Sequence, residues 1–203
     1  MAGSSQKNPA AKVSGRNHVA VKRCRWAVRE PSLTYHDQEW GVRQTDDRAL
    51  FELLTLEGAQ AGLSWDMILR KRAAYRQAFA GFDPAIVARY DTARIDSLVL
   101  NAGLVRHRGK IASTVNNAHA LLAIQQEHGS FGAYLWGFTG GQTVVTRRAD
   151  DEALPANTPL SKTISRDLRR RGFSFAGPTI VYSFMQACGV VDDHFATCFR
   201  AKP

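Results

Sequence analysis

The feature that most constrains the fold is the spacing of apolar residues, which recur three and four positions apart from Cys24 to near the end of the chain. Leu50, Leu53 and Leu54 illustrate it. Such spacing puts apolar side chains on one face of an α-helix, whereas a half-buried strand needs strict alternation. Only a short β-branched run near Val144 indicates an extended segment. The sequence therefore predicts an all-α fold.

Capping residues predict where several helices begin and end. Thr45 and Ser64 carry side-chain oxygens that can accept hydrogen bonds from the first free amides of a helix, so each is predicted to be an N-cap. Asp83 is a third N-cap candidate, because Pro84 follows it and proline is favoured at the first helical position. Gly129 is predicted to end the longest helix, since glycine adopts the positive φ of a helix C-terminus without strain.

Composition divides the chain into two parts. Residues 1–21 are small, polar and basic, with few side chains that could pack, and are predicted to form a flexible N-terminal extension. Residues 22–203 can bury one substantial core and are predicted to form a single helical domain.

The chain is basic, with 27 Lys and Arg residues against 18 Asp and Glu residues and a net charge of +9. Basic side chains displace the counterions condensed on nucleic acid, so this excess fits a polyanionic partner. A solvated surface that happens to be basic is the alternative, and charge alone does not separate the two.

The cellular compartment is predicted from what the sequence lacks. It has no apolar run of about 18 residues that could span a membrane, and its N-terminus lacks the apolar segment of a secretory signal. Its three cysteines, Cys24, Cys188 and Cys198, are too few and odd in number for a secreted disulfide framework. We therefore expect a cytoplasmic protein with no membrane partner.

A helix, the short link GFSFAG (172–177) and a second helix with Pro178 at its first position form a helix-hairpin-helix pattern. Gly177 allows the backbone to approach a ligand closely, and the free amides of the second helix can face a phosphate. An ordinary corner between two helices is the alternative. A basic run directly before the link favours contact with a DNA backbone: Lys162, Arg166, Arg169, Arg170 and Arg171.

Cysteine and histidine occur together at both ends of the chain. Cys24 and His36 lie near the N-terminus, and His194 and Cys198 lie near the C-terminus. Two sulfurs and two imidazoles would complete a tetrahedral zinc shell with no open position, which is typical of a structural site. The spacing is not that of a common zinc finger, so core cysteines with surface histidines are the alternative.

Glu57 falls on the apolar face of the helix that carries Leu50, Leu53 and Leu54. A carboxylate there needs a strong partner or marks a functional pocket, unless the helix ends before it and the side chain reaches water. Four aromatic residues near it in the sequence could stack on a flat cation or could simply form a core cluster: Trp26, Tyr35, Trp40 and Trp65.

Four strings tie these pieces together: YHDQEWG (35–41), LEGAQAGLSW (56–65), GLVRHRGKI (103–111) and RGFSFAGPTIVYSFMQACGVVDDH (171–194). In this order they closely resemble the 3-methyladenine DNA glycosylase I family, from about Cys24 to Cys198. The resemblance implies the fold of the helix-hairpin-helix DNA glycosylase superfamily, with two helical lobes around a base pocket. It also implies one structural zinc ion per chain that joins the termini, held by Cys24, His36, His194 and Cys198.

The resemblance further implies base-excision repair of alkylated duplex DNA by a monofunctional glycosylase, which flips the damaged nucleotide and hydrolyses the N-glycosidic bond of 3-methyladenine. Glu57 and Tyr35 match the residues that act on the base, and Trp26, Trp40 and Trp65 match the rest of its pocket. The matched DNA-binding residues are Gly62, Leu63, Arg171, Gly172, Phe173, Gly177 and Thr179, with Leu63 filling the gap that the flipped nucleotide leaves. One pocket on a chain that wraps a duplex is most simply a monomer, associated with the nucleoid when on DNA.

Two other functions fit parts of the same pattern. A non-catalytic DNA-binding module stabilised by zinc would bind duplex DNA with a steep salt dependence and release no base. A zinc hydrolase or deaminase would need an open metal position beside an acid–base carboxylate, which four protein ligands would close.

Overall fold

The structure, a computed structural model, describes residues 21–201. The predicted flexible extension lies outside these residues except for Val21. Over the described range the chain forms nine α-helices and two short strands. The helices are α1 (Ser32–Gln38), α2 (Asp47–Gln60), α3 (Trp65–Ala78), α4 (Pro84–Val87), α5 (Thr92–Val99), α6 (Arg108–His128), α7 (Phe131–Gly137), α8 (Pro159–Arg170) and α9 (Pro178–Ala187). The strands are β1 (Val144–Val145) and β2 (Val191–Asp192), so the predicted all-α class is confirmed.

Most predicted helix caps are found. The Ser64 side chain accepts a hydrogen bond from the amide of Met67 at the start of α3, and Gly129 is the C-cap of α6. The prediction for α2 was wrong by one residue: Asp46 is its N-cap rather than Thr45. The carboxylate of Asp46 accepts from the amide of Ala49, three residues later, as the side chain of an N-cap residue does.

Helix α2 lies in the middle of the fold and packs against α3, α6, α7 and α9. Residues 50–59 of this helix are all buried. A helix that is enclosed on every side carries even its polar residues into the interior. The last two turns of α2 therefore bring Glu57 into the protein, as the apolar spacing around it predicts.

Helices α8 and α9 pack together as the predicted hairpin, and α9 also lies against α2. Strand β1 pairs in parallel with β2, with Val144 opposite Val191, and so ties the connection after α7 to the segment after α9. The two ends of the described chain meet beyond this point, where the amide of Phe199 donates to the carbonyl of Lys22 over 3.0 Å. Within the described residues no helix has the length and apolar character to span a membrane.

Candidate active site

A cavity of about 240 Å³ opens between α1, α2 and α9. It collects the carboxylate and the four aromatic residues that the sequence singled out, together with four further residues. Its lining consists of Trp26, Tyr35, Trp40, Glu57, Gln60, Trp65, Leu154, Ser183 and Gln186.

Glu57 is 6% exposed, and no hydrogen bond or ion pair to its carboxylate exists among the described residues. Burial alone raises its pKa to about 8. Glu52, five residues earlier on the same helix, is equally buried but pairs with both Arg72 and Arg76. Burying a carboxylate without a partner costs free energy of folding. Glu57 is therefore a candidate for binding a ligand that supplies the missing interaction.

Aromatic rings form the walls around Glu57. The Tyr35 and Trp65 rings tilt toward each other with centroids 5.3 Å apart, and Trp26 meets Trp40 edge to face at 5.1 Å. The Tyr35 hydroxyl is buried without a hydrogen-bond partner, and burial raises its pKa well above the usual value. A flat heterocycle with polar edges would find stacking surfaces, one carboxylate and one phenol in this space.

Four of the lining residues were not predicted from the sequence. Gln60 lies one turn after Glu57 on α2, and Ser183 and Gln186 lie one turn apart on α9, so polar residues at helical spacing on otherwise apolar helices could have indicated them. Leu154 comes from the long connection before α8, where no periodic pattern exists to place it.

A second cavity, of about 220 Å³, continues the first toward the loop between α2 and α3. It shares Glu57 with the first cavity and reaches Leu63 and Thr179, two of the residues predicted to contact DNA. Gly62 has a φ of +80°, a conformation that favours glycine and turns the chain sharply before Leu63. The arrangement provides a route from the first cavity toward this loop.

The link between α8 and α9 has the features of an anion-binding turn. Gly172 has a φ of +97°, and Gly177 is an N-cap with no side-chain hydrogen bond to the first amides of α9. Those amides, including that of Thr179, are free to face a phosphate. The Phe173 side chain is only 4% exposed, and its amide already donates to the carbonyl of Leu168 over 3.0 Å.

The basic run on α8 divides into two groups. Arg170 and Arg171 form ion pairs, Arg170 with Asp167 and Arg171 with both Glu127 and Asp167. Lys162, Arg166 and Arg169 instead line an open groove of about 620 Å³ beside Pro178, and no ion pair to them exists among the described residues. The basic groups available to a phosphate are therefore the earlier ones in the run, whereas Arg171 has protein partners already.

Cys24, His36 and Cys198 lie together, with one potential ligand atom from each within 4.8 Å of the others. The fourth predicted ligand, His194, is not part of this tight group but lies next to it, with its ring centroid 5.3 Å from that of His36. Burial lowers the pKa of His36, which keeps its imidazole neutral.

Both histidines are oriented by carboxylates. Nδ1 of His36 lies 2.8 Å from Asp37, and Nδ1 of His194 lies 2.7 Å from Asp192. Nε2 of His36 therefore faces the sulfur of Cys198 at 3.4 Å, and Nε2 of His194 is buried without a hydrogen-bond partner. The amide of Cys24 also donates to Nε2 of His36 over 3.4 Å. A carboxylate on one ring nitrogen, with the other nitrogen turned toward the cluster, is the usual arrangement around a metal-binding histidine.

Sequence comparison places the chain in a family. A sequence profile described as methyladenine glycosylase matches residues 26–201. The DNA-3-methyladenine glycosylase 1 of Escherichia coli (strain K12) is 45% identical over 179 residues, which is 88% of this chain and 96% of that protein. The chain belongs to the methyladenine glycosylase family. The DNA-3-methyladenine glycosylase of Haemophilus influenzae is similar at 44% identity, over 87% of this chain and 96% of the relative.

Solved structures of methyladenine glycosylases have the same fold. A crystal structure of a 3-methyladenine DNA glycosylase I is similar with a TM-score of 0.86 and 46% identity, over 89% of this chain and all of that one. A second, a tyrosine-to-phenylalanine variant in complex with 3-methyladenine, has a TM-score of 0.86 and 36% identity, over 89% of this chain and 98% of that chain. Like other methyladenine glycosylases, the present chain is a base-excision repair enzyme that hydrolyses N-glycosyl bonds.

Proposed function

We propose that this methyladenine glycosylase removes 3-methyladenine from alkylated duplex DNA, after the damaged nucleotide has rotated out of the helix into the cavity around Glu57. The observation that carries the proposal is the buried, unpartnered carboxylate of Glu57 among aromatic rings. A relative of the same fold has been solved with 3-methyladenine bound, which supports this choice of base.

The charge of the damaged base explains its selection. Adenine methylated at N3 is cationic within DNA, so it is already a good leaving group and needs little acid catalysis. Its positive charge would offset the cost of the buried Glu57 carboxylate, which would accept hydrogen bonds from the edge of the ring. Tyr35 and Trp65 would pack against its ring, because electron-rich aromatic rings attract a cation. A normal base brings no charge and leaves poorly.

Hydrolysis in this site needs a water molecule and no covalent intermediate. Among the described residues that line the cavity there is no lysine to form a Schiff base, which supports a monofunctional enzyme. Asp193 is not available as a base, because it is 1% exposed and bound by Arg148 and Gln186. We expect Glu57 and Tyr35 to act by holding the departing base while water captures the sugar as positive charge develops on it.

Duplex binding would use the surfaces around the second cavity. Leu63 would enter the base stack and fill the space of the rotated nucleotide, at an unstacking cost of a few kcal/mol. The amides of Gly177 and Thr179 would hold phosphates, with Lys162, Arg166 and Arg169 beside them. The pocket is formed by a single chain, so we expect a monomer. We also expect the protein to act in the cytoplasm.

The cluster at the chain ends fits a structural zinc ion, held by Cys24, His36, His194 and Cys198. The buried, unpartnered Nε2 of His194 and the carboxylates behind both histidines support this assignment. When bound, the ion would supply a crosslink between the two ends and no activated water, since four protein ligands leave no open position.

Release of free bases from methylated duplex DNA, resolved by chromatography, tests the proposal. The wild-type protein should release 3-methyladenine, and Glu57→Gln should reduce the rate by roughly a hundredfold or more, because it removes a charge that stabilises the cationic base. Glu30→Gln, a change at an exposed glutamate just before α1, should have no effect. If the folded wild-type protein binds duplex DNA but releases no base, the chain is a binding module instead.

A further inference from the structure

Lys110 links helix α6 to the end of helix α2, just before the loop that carries Leu63. It lies in the first turn of α6, within the string GLVRHRGKI, and it is outside the cavity lining. Its ammonium donates hydrogen bonds to the carbonyl of Ala59 over 2.9 Å and to the carbonyl of Ala61 over 2.7 Å. Both carbonyls belong to the end of α2, immediately before Gly62 and Leu63.

These two hydrogen bonds satisfy groups that the helix itself cannot. The last carbonyls of a helix have no partner within it, and they carry the negative end of its dipole. Ala61 leaves helical geometry, with φ −45° and ψ 114°, so the chain turns away at this residue. A cation that bridges the carbonyls on both sides of the turn fixes the direction in which the next residues leave α2.

The same helix also holds the second loop of the DNA-facing surface. The Asn117 side chain donates to the carbonyl of Ser174 over 2.9 Å and accepts from the amide of Ser174 over 2.8 Å. Asn116 donates to the carbonyl of Gly172. Lys110 and Asn117 are two helical turns apart, so they project from nearly the same face of α6, about 20° from exact alignment.

From these contacts we infer that α6 is a brace that sets the spacing between the loop of Leu63 and the α8–α9 link, and that Lys110 is a positioning residue for Leu63. The inference rests on the proposed function in taking Leu63 as the side chain that enters the DNA stack. A side chain that must fill the space of one base can shift only slightly before it no longer fits there. A shift of about 1 Å far from the reacting bond can cost a hundredfold in rate.

Three variants separate a positioning role from general damage. Lys110→Met keeps the length and apolar stem of the side chain but removes both hydrogen bonds and the charge. Lys110→Arg keeps the charge and donors able to reach two carbonyls, so it should restore most of the function. Lys71→Met is the matched control, because its ammonium also donates to a loop carbonyl, that of Ala102 over 2.7 Å, and its loss changes the net charge equally.

Two measurements read out the effect. Hydrogen exchange by mass spectrometry follows the amides of residues 60–64. Single-turnover base release from methylated duplex DNA, together with the fluorescence of 2-aminopurine next to the lesion, follows insertion of Leu63. Lys110→Met should speed exchange in residues 60–64, slow base release by about tenfold to a hundredfold and reduce the fluorescence change. Binding of free 3-methyladenine should not change, since Lys110 does not line the cavity.

The outcomes distinguish the brace from the proposed function. Unchanged exchange in residues 60–64 of Lys110→Met would overturn the brace, whatever the activity. Loosening of the loop with wild-type base release and fluorescence would overturn the positioning role. If the wild-type protein releases no base while Lys110→Met still loosens residues 60–64 more than Lys71→Met does, the proposed function fails and the brace remains.

Discussion

The Trp40 ring meets the His194 ring edge to face, with the two centroids 4.6 Å apart. On the other side of the cluster, Trp26 meets His36 in the same way at 5.3 Å. Two of the tryptophans that line the cavity around Glu57 are therefore in contact with predicted metal ligands. The cavity wall and the cluster of predicted ligands form one packed unit, so a change in one should alter the structure of the other.

Loss of the proposed zinc ion should therefore disturb the cavity around Glu57 as well as the fold. We expect Cys198→Ala to lose its zinc, to lower the melting temperature by about 10 °C or more, and to weaken binding of free 3-methyladenine. Cys188→Ala is the control, because Cys188 is a buried free thiol at the end of α9, outside the cluster. Zinc content by mass spectrometry and calorimetric melting check the prediction. Full zinc occupancy in Cys198→Ala would argue against the ligand set.

Glu57 should make the protein less stable as the pH rises. Its pKa is raised from 4.5 to about 8, so the folded state holds a proton that the unfolded chain releases. The cost of ionising the buried group is absent below pH 4.5, grows as the pH rises to about 8, and is then constant.

Glu57→Gln should remove this cost. The variant should melt at least about 4 °C above the wild type at pH 8.5, where the wild type bears the cost of ionising Glu57, and the two should melt together near pH 4.5. Such a gain in stability with loss of activity is common where a site keeps a destabilising group for function. Equal melting temperatures at pH 8.5 would mean that Glu57 has a partner in solution.

Leu63→Ala should reduce base release from duplex DNA more than from single strands. Removing the side chain takes away the group that offsets unstacking of the neighbours, and a single strand has less stacking and pairing to lose. We expect a loss of roughly tenfold on duplex DNA. Met67→Ala, which truncates an exposed apolar residue on the first turn of α3, should leave the ratio unchanged. An equal loss on both substrates would contradict an intercalating role.

The salt dependence of duplex binding should show whether the basic side chains of α8 without ion pairs in the described part of the chain contact phosphates. Replacing Lys162, Arg166 and Arg169 with glutamine should flatten the plot of log affinity against log salt by about 0.9 for each phosphate that the protein no longer neutralises. Arg171→Gln should change this slope little but destabilise the protein, because Arg171 already pairs with Glu127 and Asp167. Fluorescence anisotropy titrations at several salt concentrations measure these slopes. A larger change of slope for Arg171→Gln than for the triple variant would make Arg171 the principal phosphate ligand.

The local features of this fold could be predicted from the sequence. Side-chain caps such as Ser64 and Asp83, and the stripe around Leu50, depend on interactions within one or two turns, so the residues themselves reveal them. Even the burial of Glu57 follows from its position on that stripe. The misplaced cap at Thr45 reflects two adjacent residues that can both cap, between which sequence alone does not choose.

What the sequence could not supply is the set of interactions between distant segments. Nothing in the neighbourhood of Arg171 indicates that Glu127 from α6 neutralises it, and nothing around Leu154 indicates that a long connection returns to the pocket. The proximity of Cys24 to Cys198 is likewise a product of the whole fold. The residue types alone suggested a shared site but left core cysteines as the alternative, and the resemblance to a family favoured the shared site.

The meeting of the two chain ends has a consequence for synthesis. The α8–α9 link is complete once residue 179 has been translated, whereas Cys198 leaves the ribosome later and must then find Cys24 and His36, which were made first. Because His36 contacts Trp26 and His194 contacts Trp40, we expect the cavity around Glu57 to reach its final shape only after these residues have come together. We therefore expect the α8–α9 link to form before the cavity around Glu57 is complete, so a nascent chain that still lacks its last few residues should lack a finished cavity.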